Sequence, residues 1–153
     1  MKKPGNHILI IFGASGDLTY RKLIPSIYDL YIQDLLPDKF IVLGASRTNL
    51  TDDSFRKKIE EGIKKFANYK NGDLLNLPKF LSCLYYISLN TEDAGEYPKL
   101  DLRIKELNKE LNIGENCIYY LSTPPSLYPV IPQALGAAGL SRSTVNGWKK
   151  LIV

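Results

Sequence analysis

The stretch Gly13-Ala14-Ser15-Gly16-Asp17-Leu18-Thr19-Tyr20-Arg21-Lys22 separates a short apolar run from a pattern typical of a helix. The run, residues 8–12, is too short for a helix and rich in β-branched residues, which predicts a strand buried on both faces. After the stretch, apolar residues recur every three or four positions, as on one face of a helix. These residues are Ile24, Ile27, Tyr28, Tyr31 and Leu35. The two glycines therefore lie in a turn between a strand and a helix.

This glycine turn has the composition of a phosphate-binding site. Gly13 lets the chain leave the strand sharply, and Gly16 lets backbone N–H groups approach an anion at the helix N-terminus. We expect the pyrophosphate of a dinucleotide to bind there. A plain glycine turn without a ligand is the alternative, because the spacing is G-x-x-G and not the full G-x-G-x-x-G.

The rest of the chain alternates between strand and helix patterns. Further strands are predicted at residues 40–44, 84–89, 117–121 and 148–153, with helical stripes between them. This alternation predicts an α/β fold, a Rossmann-type doubly wound parallel sheet of about five strands in a single domain. Pro25 predicts a kink or restart near Leu23, and Pro37 is expected to end that helix. Thr51 is predicted to cap the next helix, and Gly114 to lie near the C-terminal cap of a later one.

A single arginine follows the second predicted strand, in Gly44-Ala45-Ser46-Arg47-Thr48. In dinucleotide-binding folds this position meets the adenosine ribose, where an acidic residue selects NAD and an arginine accepts the 2′-phosphate of NADP. A guanidinium can bind phosphate with two hydrogen bonds and can also stack on adenine. The sequence therefore favours NADP over NAD, with an ordinary surface arginine as the alternative.

Composition narrows the remaining classes of function. The chain has 153 residues, 44% hydrophobic and 24% charged residues, and a net charge of +4 with both signs interspersed. This is typical of a globular domain, and we expect neither nucleic acid nor membrane as a partner. Cys83 and Cys117 have no second ligand at metal-binding spacing, so we expect two buried thiols, no metal and the cytoplasm as compartment. The single histidine, His7, is expected to be structural or solvated.

Three segments at long intervals carry a resemblance to a known family. They are GASGDLTYRK at residues 13–22, YLSTPP at residues 120–125 followed by Tyr128, and GWKKLIV at residues 147–153. Together they resemble the N-terminal coenzyme domain of the glucose-6-phosphate dehydrogenases. The segment GASR at residues 44–47 matches the adenosine-phosphate segment of that family. The resemblance covers nearly the whole chain.

The resemblance implies hydride transfer from C1 of glucose 6-phosphate to the nicotinamide of NADP, in the pentose phosphate pathway. It implies that Arg47 and Thr48 hold the 2′-phosphate, that Thr123 and Pro124 border the nicotinamide, and that Lys22 lies near the substrate. Tyr86 is a further candidate for cofactor binding. The residues expected around the pyrophosphate are Gly13, Ala14, Ser15, Gly16, Asp17 and Leu18.

The family continues beyond its Leu-Ile-Val strand into a substrate-binding lysine, a catalytic histidine and a second domain, and none of these segments is in this sequence. His7 precedes the first strand and cannot take the role of the catalytic base. We therefore expect residues 1–153 to be the NADP-binding fragment of a longer two-domain enzyme, with a fold incomplete at its C-terminal end. The fragment alone is expected to be inactive and prone to association, and the full-length enzyme to be a homo-oligomer. The alternatives are a stand-alone dinucleotide-binding module without turnover and another Rossmann oxidoreductase acting on sugars.

Overall fold

In the computed structural model, which describes residues 2–66, 69 and 71–153, five strands form one parallel sheet. The strands are β1 (His7–Phe12), β2 (Phe40–Ser46), β3 (Leu84–Ser88), β4 (Cys117–Leu121) and β5 (Lys149–Ile152). Their order across the sheet is β3-β2-β1-β4-β5, so β1 is central and the order reverses between β1 and β4. The doubly wound Rossmann-type fold predicted from the sequence is confirmed.

Helices cover both faces of the sheet. The first face carries α1 (Ile24–Ile32), α2 (Asp52–Phe66) and α3 (Leu77–Leu81), packed on Leu9 and Ile11 of β1. The second carries α4 (Tyr97–Leu111) and α5 (Val130–Ala137), packed on Ile8, Ile10 and Phe12. All six residues of β1 are buried, because alternate side chains enter two separate cores.

The predicted restart before Pro25 is confirmed. Thr19–Leu23 forms a π-helical segment, and α1 begins at Ile24 with the proline in its first turn, where no backbone donor is needed. The predicted end of this helix at Pro37 is wrong. Asp34 adopts a left-handed conformation with φ 58°, and the N–H of Leu35 donates to Leu30 O at 2.9 Å, which terminates the helix earlier.

Two helix ends lie where the sequence predicts them. The N–H of Ser54 donates to Thr51 Oγ1 at 3.0 Å, so Thr51 caps α2 as predicted. At the end of α4, Asn112 takes the left-handed conformation with φ 53°, and Gly114 follows two residues later with φ 100°, near the cap as predicted. The side chain of Asn108 accepts the N–H groups of Ile113 and Gly114, which holds the chain that follows.

The last strand, β5, pairs with β4 only and lies at one edge of the sheet formed by the described residues. Its burial differs sharply from that of β1. Leu151 and Ile152 of β5 are 47% and 42% exposed, and Val153, which follows the strand, is 70% exposed. Whether the fold is incomplete at this end stays a prediction.

Candidate functional site

A cavity of about 410 Å³ lies where the carboxyl ends of four strands meet. The turn after β1, the loop after β2 and the loops after β3 and β4 each contribute to its walls. Its lining is formed by Gly13, Ser15, Gly16, Arg47, Thr91, Glu92, Ser122, Thr123, Pro124, Ser126 and Leu127. The topology thus brings the glycine turn, the arginine and the Ser-Thr-Pro-Pro turn together, although more than a hundred residues separate the first from the last.

The glycine turn is closed by contacts that only glycine permits at position 13. Gly13 has φ 81°, and a Cβ there would lie 2.0 Å from the carbonyl oxygen of Ser122. Its N–H donates to Ala45 O at 2.9 Å, and the N–H of Ser122 donates to Phe12 O at 2.9 Å. The turns after β1 and β4 therefore touch backbone to backbone, which fixes the floor of the cavity.

The hydrogen bonds of this turn decide which donors can face an anion. The N–H of Gly16 donates to Gly13 O at 3.0 Å, so this group closes the turn and is not available to a ligand, contrary to the simplest expectation. The N–H groups of Ser15, Asp17 and Leu18 have no acceptor within residues 2–66, 69 and 71–153. Three backbone donors at the start of one helical segment form an arrangement that suits phosphate oxygens.

The hydroxyl of Ser15 belongs to a network with the segment after β2. Ser15 Oγ accepts hydrogen bonds from Ser46 Oγ at 2.8 Å and from Thr48 Oγ1 at 3.0 Å. Ser46 Oγ also contacts the hydroxyl of Tyr86, and its single proton serves either Tyr86 or Ser15, so Ser15 and Ser46 share one hydrogen-bonded network. This network holds Ser15 at the wall of the cavity.

Tyr86, predicted to contact the cofactor, is 5% exposed and does not line the cavity. Its hydroxyl donates to Thr48 O at 2.6 Å and contacts Ser46 Oγ. Burial raises the pKa of this hydroxyl above its ordinary value, so it stays a donor. Tyr86 therefore stabilises the loop that carries Arg47, through its hydrogen bond to Thr48 O.

Arg47 extends from the end of β2 along the wall of the cavity. Its side chain is 62% exposed, and its guanidinium forms an ion pair with the carboxylate of Glu92 from the loop after β3. The arginine was predicted to lie here, and the carboxylate beside it was not. Thr48 is exposed as well, with its hydroxyl directed to Ser15.

Thr123 and Pro124 lie on the opposite wall, after β4. Within the residues that the structure describes, Thr123 Oγ1 is the single buried side-chain oxygen or nitrogen without a hydrogen-bond partner. A buried hydroxyl without a partner is costly, and either an ordered water or a polar group of a ligand can satisfy it. Thr123 is therefore a candidate contact for a polar ligand in the cavity.

Six of the predicted residues lie outside the lining of this cavity: Ala14, Asp17, Leu18, Lys22, Thr48 and Tyr86. Lys22 borders a separate cavity, also of about 410 Å³, which Pro25, Ser26 and Asp29 help to form. The carboxylate of Asp17 pairs with Arg21 Nε at 2.7 Å. Leu18 is 51% exposed. The backbone N–H groups of Asp17 and Leu18 remain available at the rim, whereas the ammonium group of Lys22 is set apart.

Several residues near the cavity were missed by reading the sequence. Lys58, in the middle of α2, reaches across to donate to Ser15 O at 2.6 Å, with its ammonium group 5.9 Å from the ring centre of Tyr20. This places a positive charge behind the phosphate-binding turn. Thr91 and Glu92 were also missed, because the loop after β3 has no motif of its own.

The remaining candidates for chemistry lie elsewhere. His7 is the first residue of β1, at the opposite end of the strand from the cavity, and is 5% exposed. Burial lowers the pKa of its imidazole below 6.5.

Burial raises the pKa of both free thiols, Cys83 and Cys117. In the described part of the chain, no cluster of three or more His, Cys, Asp or Glu could hold a metal ion, and no helix is long and apolar enough to cross a membrane.

The chain is similar to proteins of known family. Residues 10–153 match the family described as "Glucose-6-phosphate dehydrogenase, NAD binding domain". The chain is 50% identical over 151 residues to "Glucose-6-phosphate 1-dehydrogenase" of Aggregatibacter actinomycetemcomitans, covering 99% of this chain and 30% of the relative. It is 44% identical over 140 residues to the protein of the same name from Treponema pallidum (strain Nichols), covering 92% of this chain and 27% of the relative.

A solved structure is also similar, and its description is "Glucose-6-phosphate dehydrogenase in complex with its substrate glucose-6-phosphate". It superposes with a TM-score of 0.81 at 26% sequence identity, over 100% of this chain and 31% of that one. The chain therefore spans about 30% of the length of the relatives that it matches.

Proposed function

Because the chain belongs to the glucose-6-phosphate dehydrogenase family and matches its NAD-binding domain, we propose that it is the coenzyme-binding part of an NADP-dependent glucose-6-phosphate dehydrogenase. The enzyme transfers a hydride from C1 of glucose 6-phosphate to the coenzyme. The nicotinamide, when bound, supplies the hydride acceptor. The residues of this chain bind and orient the dinucleotide.

The pyrophosphate lies over the glycine turn in this proposal. The N–H groups of Ser15, Asp17 and Leu18 are directed to its oxygens. Gly13 and the buried Ala14 shape the turn. Gly16 leaves room for the ligand above it.

Arg47 is the observation that carries the choice of NADP. It stands at the end of the second strand, beside the cavity, with more than half of its side chain exposed. A guanidinium at this position can bind the 2′-phosphate with two hydrogen bonds. Thr48 Oγ1 adds a third when its proton turns from Ser15 Oγ to the phosphate. Tyr86 holds the loop in place through Thr48 O.

The nicotinamide half lies toward the Ser-Thr-Pro-Pro turn. The orphaned Thr123 Oγ1 gains a hydrogen-bond partner when the cofactor binds, which fits a polar group such as the carboxamide or the ribose. Pro124 borders this end of the cavity. Lys22 lies near the sugar substrate, at the neighbouring cavity.

Further parts of the proposal concern the whole enzyme. We place residues 1–153 as the NADP-binding domain of a longer two-domain protein, a cytoplasmic homo-oligomer without nucleic acid or membrane partners. The relatives are about three times as long as this chain. His7 is buried at the far end of β1, so the proposed catalytic base comes from outside this chain, and the 153-residue chain alone does not oxidise glucose 6-phosphate.

Calorimetric titration of the 153-residue chain with NADP and NAD tests the proposal. Arg47→Ala removes the contact to the 2′-phosphate, and Arg142→Ala, in an exposed loop before β5, is the charge-matched control. Losing a charge-assisted contact should weaken NADP binding by about 1.5–3 kcal/mol, or roughly 10- to 150-fold. NAD binding should change little in either variant.

Two results would contradict the proposal. If Arg47→Ala weakened both cofactors equally, the arginine would act on the fold and not on the 2′-phosphate. If the wild-type chain bound neither cofactor, the assignment of the cavity would be wrong. An unfolding midpoint for each variant separates the first case from a general loss of stability.

A further inference from the structure

The group that Arg47 contacts in this structure is the carboxylate of Glu92. Both residues line the cavity, and their side chains are 62% and 53% exposed. The pair joins the loop after β2 to the loop after β3 across 45 positions of sequence. The guanidinium expected to bind a 2′-phosphate is thus already engaged by an anion.

The backbone on both sides of this ion pair is fixed. The N–H of Leu89 donates to Ser46 O at 2.7 Å, and Ser88 Oγ donates to Arg47 O at 3.3 Å, so the two loops leave the sheet together.

The turn that carries Glu92 is held from its own side as well. Tyr97 donates its buried hydroxyl to Thr91 O at 2.8 Å, and the N–H of Glu92 donates to Asn90 Oδ1 at 3.1 Å. These bonds tie the turn that carries Glu92 to its own loop and to α4.

We propose that Glu92 is an internal competitor for the 2′-phosphate of NADP and that it sets the preference between NADP and NAD. This inference rests on the proposed function of the cavity. Glu92 holds Arg47 through Nη2, so a 2′-phosphate that binds the guanidinium competes with the carboxylate for the same positive charge. Two anions then lie near one cation. NAD has a hydroxyl at this position and leaves the ion pair intact. Glu92 therefore lowers the affinity for NADP without lowering the affinity for NAD.

The size of the effect follows from the exposure of the pair. Exposed ion pairs are weak, so breaking this one should cost NADP up to about fivefold in affinity. The replaced carboxylate can rotate into solvent, which limits the added repulsion.

The test compares Glu92→Gln with Glu106→Gln in calorimetric titrations of the 153-residue chain. Glu106 pairs with Arg103 at 3.3 Å on α4, outside the lining of the cavity, so this control also removes one carboxylate from an Arg–Glu pair. We expect Glu92→Gln to tighten NADP binding about two- to fivefold and to leave NAD unchanged. Glu106→Gln should leave both affinities unchanged.

The same substitution in the Arg47→Ala background shows whether Glu92 acts through the arginine. Competition predicts that the gain for NADP disappears once Arg47 is gone. A gain of equal size in both backgrounds would overturn the inference, because it would show direct repulsion. Unchanged NADP binding in Glu92→Gln would overturn it too, while leaving the proposed function intact. If the wild-type chain did not bind NADP, both the proposed function and this inference would be refuted.

Discussion

Gly13 makes the most constrained contact of any single residue near the cavity. A side chain there would meet both a positive φ of 81° and the carbonyl oxygen of Ser122 at 2.0 Å. Gly139 offers a matched comparison, because it has φ 75° but open space within 4 Å of the point that a Cβ would occupy. The two positions separate the cost of backbone strain from the cost of a collision.

We expect Gly139→Ala to lower the free energy of unfolding by about 1 kcal/mol, the cost of a left-handed alanine. Gly13→Ala should cost at least about 2 kcal/mol more, because the turns after β1 and β4 must also move apart. Denaturant unfolding of both variants measures the difference. Equal losses would show that the contact with Ser122 relaxes at no cost.

His7 gives a prediction about pH. Burial lowers the pKa of the folded-state imidazole from its usual 6.5, and Nδ1 lies 2.9 Å from Gly5 O. The folded protein therefore binds fewer protons than the unfolded chain as the pH falls below about 6.5. Stability from the neutral ring is fully present above that pH and is lost on acidification, by at most about 1.4 kcal/mol per pH unit.

The variant His7→Gln keeps a donor for Gly5 O and removes the titration. Between pH 7 and pH 5 its free energy of unfolding should fall less steeply than that of the wild type. Unfolding in urea across this range is the measurement. Parallel slopes would mean that the ring is protonated equally in both states.

At the residue scale, the sequence predicts the cavity residues that belong to a recognisable motif. It misses the cavity residues that come from other parts of the chain. Gly13, Arg47 and Thr123 follow strands with recognisable patterns, and all three line the cavity. Glu92 and Lys58 reach the same place from a loop after β3 and from the middle of α2. Their positions depend on the strand order β3-β2-β1, which no local pattern encodes.

At the scale of elements, helix α2 shows how a residue in a first helical turn gains a second role. By its position alone, Asp52 is expected to stabilise that turn through the helix dipole. The structure shows that its carboxylate also accepts the N–H of Tyr86 at 2.7 Å and pairs with Arg103 at 3.3 Å. One side chain therefore ties α2 to β3 and to α4. Asp53, the next residue, is 95% exposed and pairs only weakly with Arg56 at 3.6 Å.

The neighbours Asp52 and Asp53 share a helix turn and a charge, so they form a matched pair of tests. Asp52→Asn should lower the free energy of unfolding by about 1.5–3 kcal/mol, because a charge-assisted hydrogen bond and a half-buried ion pair are weakened. Asp53→Asn should change it by less than about 0.5 kcal/mol. Thermal unfolding compares the two. Similar shifts of the unfolding temperature in both variants would mean that Asp52 acts only through the helix dipole.

The elements themselves were predicted well because each carries a clear period. All five strands and the helical stripes lie where the apolar pattern puts them. The boundaries were less predictable. The end of α1 depends on Asp34 in a left-handed conformation, and the end of α4 on Asn112. Both residue types occur in helical and left-handed conformations, so their presence in the sequence does not by itself predict a helix end.

On the scale of the whole molecule, stability should fall from the centre of the sheet to its edges. Strand β1 is flanked by β2 and β4 and is entirely buried, whereas three of the four residues of β5 are exposed. Native-state hydrogen exchange should find β1 amides opening only with global unfolding. Amides of β5 should open at a free energy lower by on the order of 3 kcal/mol. Uniform protection across the sheet would contradict this gradient.

The family was predicted from three separated segments, and the match over residues 10–153 confirms it. Neither the strand order nor the two cores could be read from any one of those segments. They follow from packing alternate faces of β1 against different helices.

The central place of β1 also has a consequence for synthesis on the ribosome. Its partner β2 follows within some thirty residues, but β4, on its other side, ends only at Leu121. At roughly 5–20 residues per second, the hundred or so residues between them take about 5–20 s to appear. Throughout that interval, one edge of the most apolar strand has its backbone donors and acceptors unpaired. The speed of translation between β1 and β4 therefore sets how long the nascent chain is exposed to chaperones and to aggregation.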